Sequence, residues 1–148
     1  MGVKGRSFEL QDQRDMDLYC VYKQMLADST YPIYQPEVLK RTVNHPSKRF
    51  WVSSERATIV VSEMRRGNDL SFMNPCKRAM FEEIKKRVDA LEKKTGETRL
   101  CILAEQVVCQ PAPEFYLTPG SAKVILCRSK KRIYECFERK KRQLRFMF

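Results

Sequence analysis

Nine basic side chains crowd the C-terminal end of the chain: Arg128, Lys130, Lys131, Arg132, Arg139, Lys140, Lys141, Arg142 and Arg145, against only Glu135 and Glu138. Guanidinium and ammonium groups at this density are suited to neutralising nucleic-acid phosphate, which releases condensed counterions and makes binding salt-dependent. Ile133, Tyr134, Phe137, Leu144, Phe146 and Phe148 are interleaved with them, so the segment reads as a basic amphipathic helix. At ~100° per residue, Arg128, Lys131, Arg132, Arg139, Lys141 and Arg142 fall within about half the circumference, leaving Ile133, Tyr134, Phe137 and Leu144 for packing. Such a helix suits nucleic-acid phosphate, an anionic membrane surface or an acidic protein groove, and the plain alternative is a solvated face. The net charge of +11 and the pI of about 9.6 favour phosphate.

No base-reading device accompanies these cations. A helix-turn-helix would have to use Leu100–Val108 and Thr118–Arg128, but the connection between them holds two prolines and is far longer than the three- or four-residue turn that motif needs. Binding is therefore expected to rest on phosphate contacts with weak sequence preference.

Catalytic chemistry is hard to find. There is no Gly-rich phosphate loop, no Gly-x-Ser-x-Gly and no His-Glu-x-x-His. The single histidine, His45, has no obvious nucleophile beside it, and Glu82 and Glu83 sit four residues before Lys86 and Arg87 as ordinary helix-surface partners. The chain is read as a non-enzyme with no cofactor. The six cysteines contain no close pair of the kind structural zinc sites use, so no metal is expected. Cys20, Cys76, Cys101, Cys109, Cys127 and Cys136 are expected as free thiols, with Cys101, Cys109 and Cys127 packed in apolar runs as small hydrophobes. The N-terminal stretch lacks an apolar h-region, and Gly2 is followed by Arg6 and Ser7 rather than a convincing myristoylation pattern. No run is apolar enough to span a membrane, so a cytoplasmic protein with no membrane partner is expected.

The elements that position the cations follow from an internal repeat. Residues 38–66 align without a gap on residues 103–131, an offset of 65 (Phe50 to Phe115). Val43/Val108, Pro46/Pro111, Phe50/Phe115 and Ala57/Ala122 are identical, and Val38/Leu103, Trp51/Tyr116, Ser53/Thr118, Ile59/Val124, Val60/Ile125 and Val61/Leu126 keep their chemistry. In each copy a short apolar helix ends at a proline, an aromatic extended segment follows, and a hydroxyl cap opens the next helix. Phe50-Trp51-Val52 and Phe115-Tyr116-Leu117 are read as core plus cap in preference to an aromatic binding surface. A longer helix precedes each unit: Arg14–Asp28, with Leu18, Tyr19, Tyr22 and Leu26 matched at an offset of 62 to Met80, Phe81, Ile84 and Val88 of the helix Pro75–Lys94. Residues 1–13 are expected to be loose, and Thr30 to Pro36 forms a proline-punctuated loop.

The fold expected is mainly α: an internally duplicated helix–helix–short strand–helix unit with pseudo-two-fold symmetry and at most a two-stranded ribbon. The chain is one domain, residues 1–148. It consists of repeats at about 14–67 and 75–132 plus a basic C-terminal helical extension at about 128–145.

The phrase PAPEFYLTPGSA with a basic helix after it and AMFEEIKKRV before it resembles a group of small basic proteins of Bacteroidetes bacteria. The resemblance covers the second half well and the first half loosely, since Ser47-Lys48 replaces the double-proline spacing. It implies a bacterial, cytoplasmic protein and carries over no activity, cofactor or site residue. The function expected is a nucleic-acid-binding accessory or regulatory protein, with DNA ahead of RNA. The alternative is a protein-interaction module, homodimeric in one version, docking an acidic partner through the basic C-terminal helix.

Overall fold

A computed structural model describes the backbone of residues 3–30 and 32–147 and the side chains of residues 9–30 and 32–147; Gly2, Tyr31 and Phe148 lie outside the described residues. Six helices follow one another: α1 (Val3–Asp28), α2 (Gln35–Val43), α3 (Ser54–Arg65), α4 (Pro75–Thr95), α5 (Leu100–Val108) and α6 (Pro119–Met147). Among the described residues there is no sheet.

The helix boundaries follow the local chemistry. The Ser53 hydroxyl accepts from the Arg56 amide at 3.2 Å and so caps α3. Thr118 does the same for α6, accepting from the Ser121 amide at 3.2 Å just before Pro119. Asn74 caps α4 through the Cys76 amide at 2.8 Å, with Pro75 in the first turn, where its missing N–H costs nothing. α4 ends on Gly96 at φ +74°, a left-handed conformation that a Cβ would disfavour.

The helices bury two apolar clusters. One holds Leu18, Val21 and Tyr22 of α1, Val38, Leu39 and Val43 of α2, and Ala122, Ile125 and Leu126 of α6, closed by Phe115. The other holds Ala57, Val60 and Val61 of α3, Phe81, Ile84 and Val88 of α4, and Leu103, Ala104, Val107 and Val108 of α5, closed by Phe50. Each cluster thus takes two helices from one half of the chain and the third from the other. The segments 44–53 and 109–118 carry these crossings, and their backbones pair at one antiparallel bridge. Ser47 donates to the Ala112 carbonyl at 3.0 Å and Ala112 donates back at 3.1 Å.

Polar contacts clamp both crossings. The buried Asp17 carboxylate of α1 accepts from the Lys48 amide at 3.1 Å. Arg87 of α4, held by Glu83, donates to the Pro111 carbonyl at 2.8 Å and lies 5.0 Å over the Phe50 ring. The Tyr116 ring stacks beside Phe50 at 6.2 Å with its backbone at φ +55°, a conformation an L side chain adopts only when its surroundings impose it. Burial and the nearby Glu83 and Glu114 carboxylates push the Tyr116 phenol up to about 12.

Several expectations need correcting. Helix α1 starts at Val3, so residues 3–13 are helical rather than loose. No breaker stronger than Gly5 interrupts that stretch, and Asp12 within it pairs with Arg132 of α6. The two aromatic segments form no ribbon. The Phe50 and Phe115 amides are already donated to helix-end carbonyls, and Val52 donates to Phe50, so the pairing shrinks to Ser47 and Ala112. Of the residues expected on the inner faces of α1 and α4, Leu18, Tyr22, Phe81, Ile84 and Val88 are buried, whereas Tyr19, Leu26 and Met80 are only half-buried. Cys101, Cys109 and Cys127 are exposed, because the turns that hold them direct Leu103, Val107, Val108, Ile125 and Leu126 inward instead. All six cysteines are free.

Candidate nucleic-acid interface

Helix α6 is rooted in the core and then leaves it. Ala122, Ile125, Leu126 and Ser129 form its buried stripe, and Ile133 is the last apolar residue along it that is half-buried. From Tyr134 to Met147 every residue is exposed except the half-buried Glu138. At 1.5 Å per residue this exposed stretch is about 20 Å of helix.

All nine predicted cations lie on this helix and all are exposed. Arg132 pairs with Asp12 at 2.9 Å and Lys141 with Glu138 at 3.7 Å, both in solvent, where such pairs contribute little. Lys130 lies 5.5 Å over the Tyr22 ring. Arg128, Lys131, Arg139, Lys140, Arg142 and Arg145 have no carboxylate partner among the described residues.

The comparable position on α3 has a different fate. Arg65, which aligns with Lys130, donates to Asp89 at 2.9 Å and Glu92 at 2.7 Å of α4. The hydrogen bond with Asp89 leads the interactions that raise the Arg65 guanidinium above its ordinary value. Partial burial works against the Asp89 charge, but the Arg65 and Lys85 hydrogen bonds still hold that carboxyl below the usual range. The end of α3 is thus neutralised by the helix beside it, and α6 keeps its charge.

The sequence reading assigned Tyr134, Phe137 and Leu144 to packing. They are 67, 64 and 56 % exposed, because the body ends before the helix does. Sequence reasoning missed what these rings share with the cations. Lys130, Tyr134, Phe137, Lys141 and Arg145 recur every three or four residues and so form one ridge along an exposed face. The spacing was present in the sequence, but only the end of the core reveals that the ridge is free.

A second feature had no sequence signal. An open groove of about 950 Å³ runs between α1, the start of α3 and α5, lined by Trp51, by the cations Arg14, Arg49 and Arg56, and by the carboxylates Glu9, Glu55 and Glu105. Its arginines are partly spent internally. Arg14 pairs with the buried Asp15 at 3.1 Å, and Arg49 donates to the Phe50 and Val52 carbonyls while lying 5.9 Å over Trp51. The formal charges of its lining cancel, so the groove has no excess of cations for an anion.

His45 turns its Nδ1 to the Pro46 carbonyl at 2.7 Å, so that nitrogen carries the proton and the ring acts as a turn brace. Among the described residues no cluster of His, Cys, Asp and Glu is arranged to hold a metal ion, and no helix is long and apolar enough to cross a membrane. No family model, curated protein or solved structure matches the chain.

Proposed function

We propose that this chain is a nucleic-acid-binding accessory or regulatory protein of the bacterial cytoplasm, acting mainly through phosphate contacts made by α6, with DNA ahead of RNA. The observation that carries the reading is the set of six α6 cations without a carboxylate partner among the described residues, on a helix exposed from Tyr134 onward except at the half-buried Glu138. Cations left unneutralised on a rigid rod are suited to phosphate, and counterion release then supplies the affinity. The absence of a base-reading turn keeps the sequence preference weak.

The body that carries α6 is proposed to be an internal duplication with pseudo-two-fold symmetry. Three pairs of aligned residues support it: Ser47 bridges Ala112, the Phe50 amide donates to Val108, and the Phe115 amide donates to Val43. Burial class also agrees at every position of 38–52 against 103–117. In this reading the second unit has a function of its own, because only its last helix continues past the core.

A second reading has its own observation. Phe146 and Met147 are 92 and 78 % exposed, which favours a module that docks an acidic protein through the tip of α6.

Changing Lys140, Lys141 and Arg142 together to glutamine tests the first reading. The variant is expected to bind DNA more weakly, about equally across sequences, with a log–log salt slope flatter by up to roughly one unit per lost contact. Unchanged affinity in the triple variant sinks the reading. The docking module instead predicts no nucleic-acid retention at ~150 mM salt and loss of an acidic protein partner in the same variant.

A further inference from the structure

We infer that the ridge Lys130–Tyr134–Phe137–Lys141–Arg145 takes a single strand, with unpaired bases lying on the two rings and phosphates on the three cations. The inference rests on the nucleic-acid reading above and narrows its substrate class.

The ridge follows from helix geometry. Steps of four, three, four and four residues keep these side chains within about 80° of one another at ~100° per residue. Lys130 to Arg145 spans about 22 Å along the axis, and Tyr134 and Phe137 are about 4.5 Å apart along it. Both rings are about two-thirds exposed and belong to neither buried cluster. Among the described residues the ridge cations have one carboxylate partner, the half-buried Glu138, at 3.7 Å from Lys141.

The chemistry separates two kinds of nucleic acid. A duplex presents phosphates and closed base pairs, so it satisfies the cations and leaves exposed rings with nothing to cover them. An unpaired strand offers the π-face of each base as well. Base–aromatic stacking is tolerant of sequence, which agrees with the lack of a base-reading element. DNA and RNA single strands share this chemistry, and binding to either fits the inference.

The test uses the full chain, a labelled thymidine oligonucleotide of about 20 residues, a uridine oligonucleotide of the same length, and a mixed-sequence duplex. In the variant Tyr134→Leu with Phe137→Leu the rings are removed, and apolar bulk and helix propensity are kept at two exposed positions. Wild-type protein is expected to prefer a single strand to the duplex at ~150 mM salt. The double variant should lose single-strand affinity by roughly tenfold per ring, with the salt slope kept and the loss confined to the single strands. Changing Lys130, Lys141 and Arg145 to glutamine should instead flatten the slope. Single-strand affinity that survives loss of both rings overturns the inference, as does equal loss on duplex and single strand. Strong duplex binding indifferent to the rings would overturn it while leaving the nucleic-acid reading intact. Retention of none of the three probes would remove both.

Discussion

The amide of Phe50 donates to the carbonyl of Val108 at 3.0 Å, and 65 residues later the amide of Phe115 donates to the carbonyl of Val43 at the same distance. Each phenylalanine is therefore anchored on the last turn of a helix from the opposite half of the chain, and its ring closes the cluster that this helix belongs to. Residues 44–53 and 109–118 pass each other at Ser47 and Ala112, so the two halves are joined by backbone as well as by side chains.

Truncating either ring should be costly and about equally so. Phe50→Ala and Phe115→Ala are each expected to destabilise by roughly 3–5 kcal/mol, since both rings are almost wholly buried in well-packed clusters. Urea denaturation of the two variants measures this, and a large inequality would count against equivalent roles in the proposed duplication.

The two hydroxyl caps should contribute alike as well. Ser53→Ala and Thr118→Ala each remove an acceptor from a helix-start amide, at an expected cost of about 0.5–2 kcal/mol. Loss at Thr118 should also lower amide-exchange protection in the first turn of α6, readable by hydrogen exchange.

Alkaline titration should single out Tyr116. Its phenol is held at about 12, above the ordinary 10.0, so the folded state favours the protonated ring. The associated stability is fully present below pH 10 and is lost as pH rises through about 12. Denaturation midpoints measured across that window should fall less steeply in Tyr116→Phe than in the parent protein.

The acid side should single out Asp89. Its carboxyl titrates below the ordinary 3.8, so its contribution is present above that value and is lost as pH falls through the lower folded value. The stability difference between the parent protein and Asp89→Asn should therefore be visible at neutral pH and vanish in strong acid. The pair with Arg65 is partly exposed, so the difference should also shrink in high salt.

Maleimide labelling of the native protein should modify Cys20, Cys101, Cys109, Cys127 and Cys136 ahead of the half-buried Cys76. Mass spectrometry of a time course reads the order.

Much of the body could be read from local chemistry. Pro46, Pro111, Ser53, Thr118, Asn74 and Gly96 punctuate the chain through backbone preferences that tertiary structure has no reason to overrule. The matched pairs Val60/Ile125 and Val61/Leu126 are buried at all four positions. What the sequence could not supply was which helix each stripe would meet. The exchange of α3 and α6 between the two clusters depends on where the crossings run, and no periodicity encodes that. The same limit explains the errors on α6. Tyr134 and Phe137 have the spacing of packing residues, and only the extent of the neighbouring helices decides whether anything is there to pack against. The cysteines failed for a related reason, since a run of apolar neighbours does not say which of them face inward.

The crossing of the two segments also sets an order of events during synthesis. When the first half leaves the ribosome, Phe50, Ala57, Val60 and Val61 have no cluster to enter, because the other walls belong to α4 and α5, still to be made. The α1–α2 pair waits in the same way for Phe115 and α6. The α3–α5 cluster has all its walls once α5 and Ala112 are out, whereas the α1–α2 pair carries unfinished apolar surface until α6 follows, so the two cores can close one after the other.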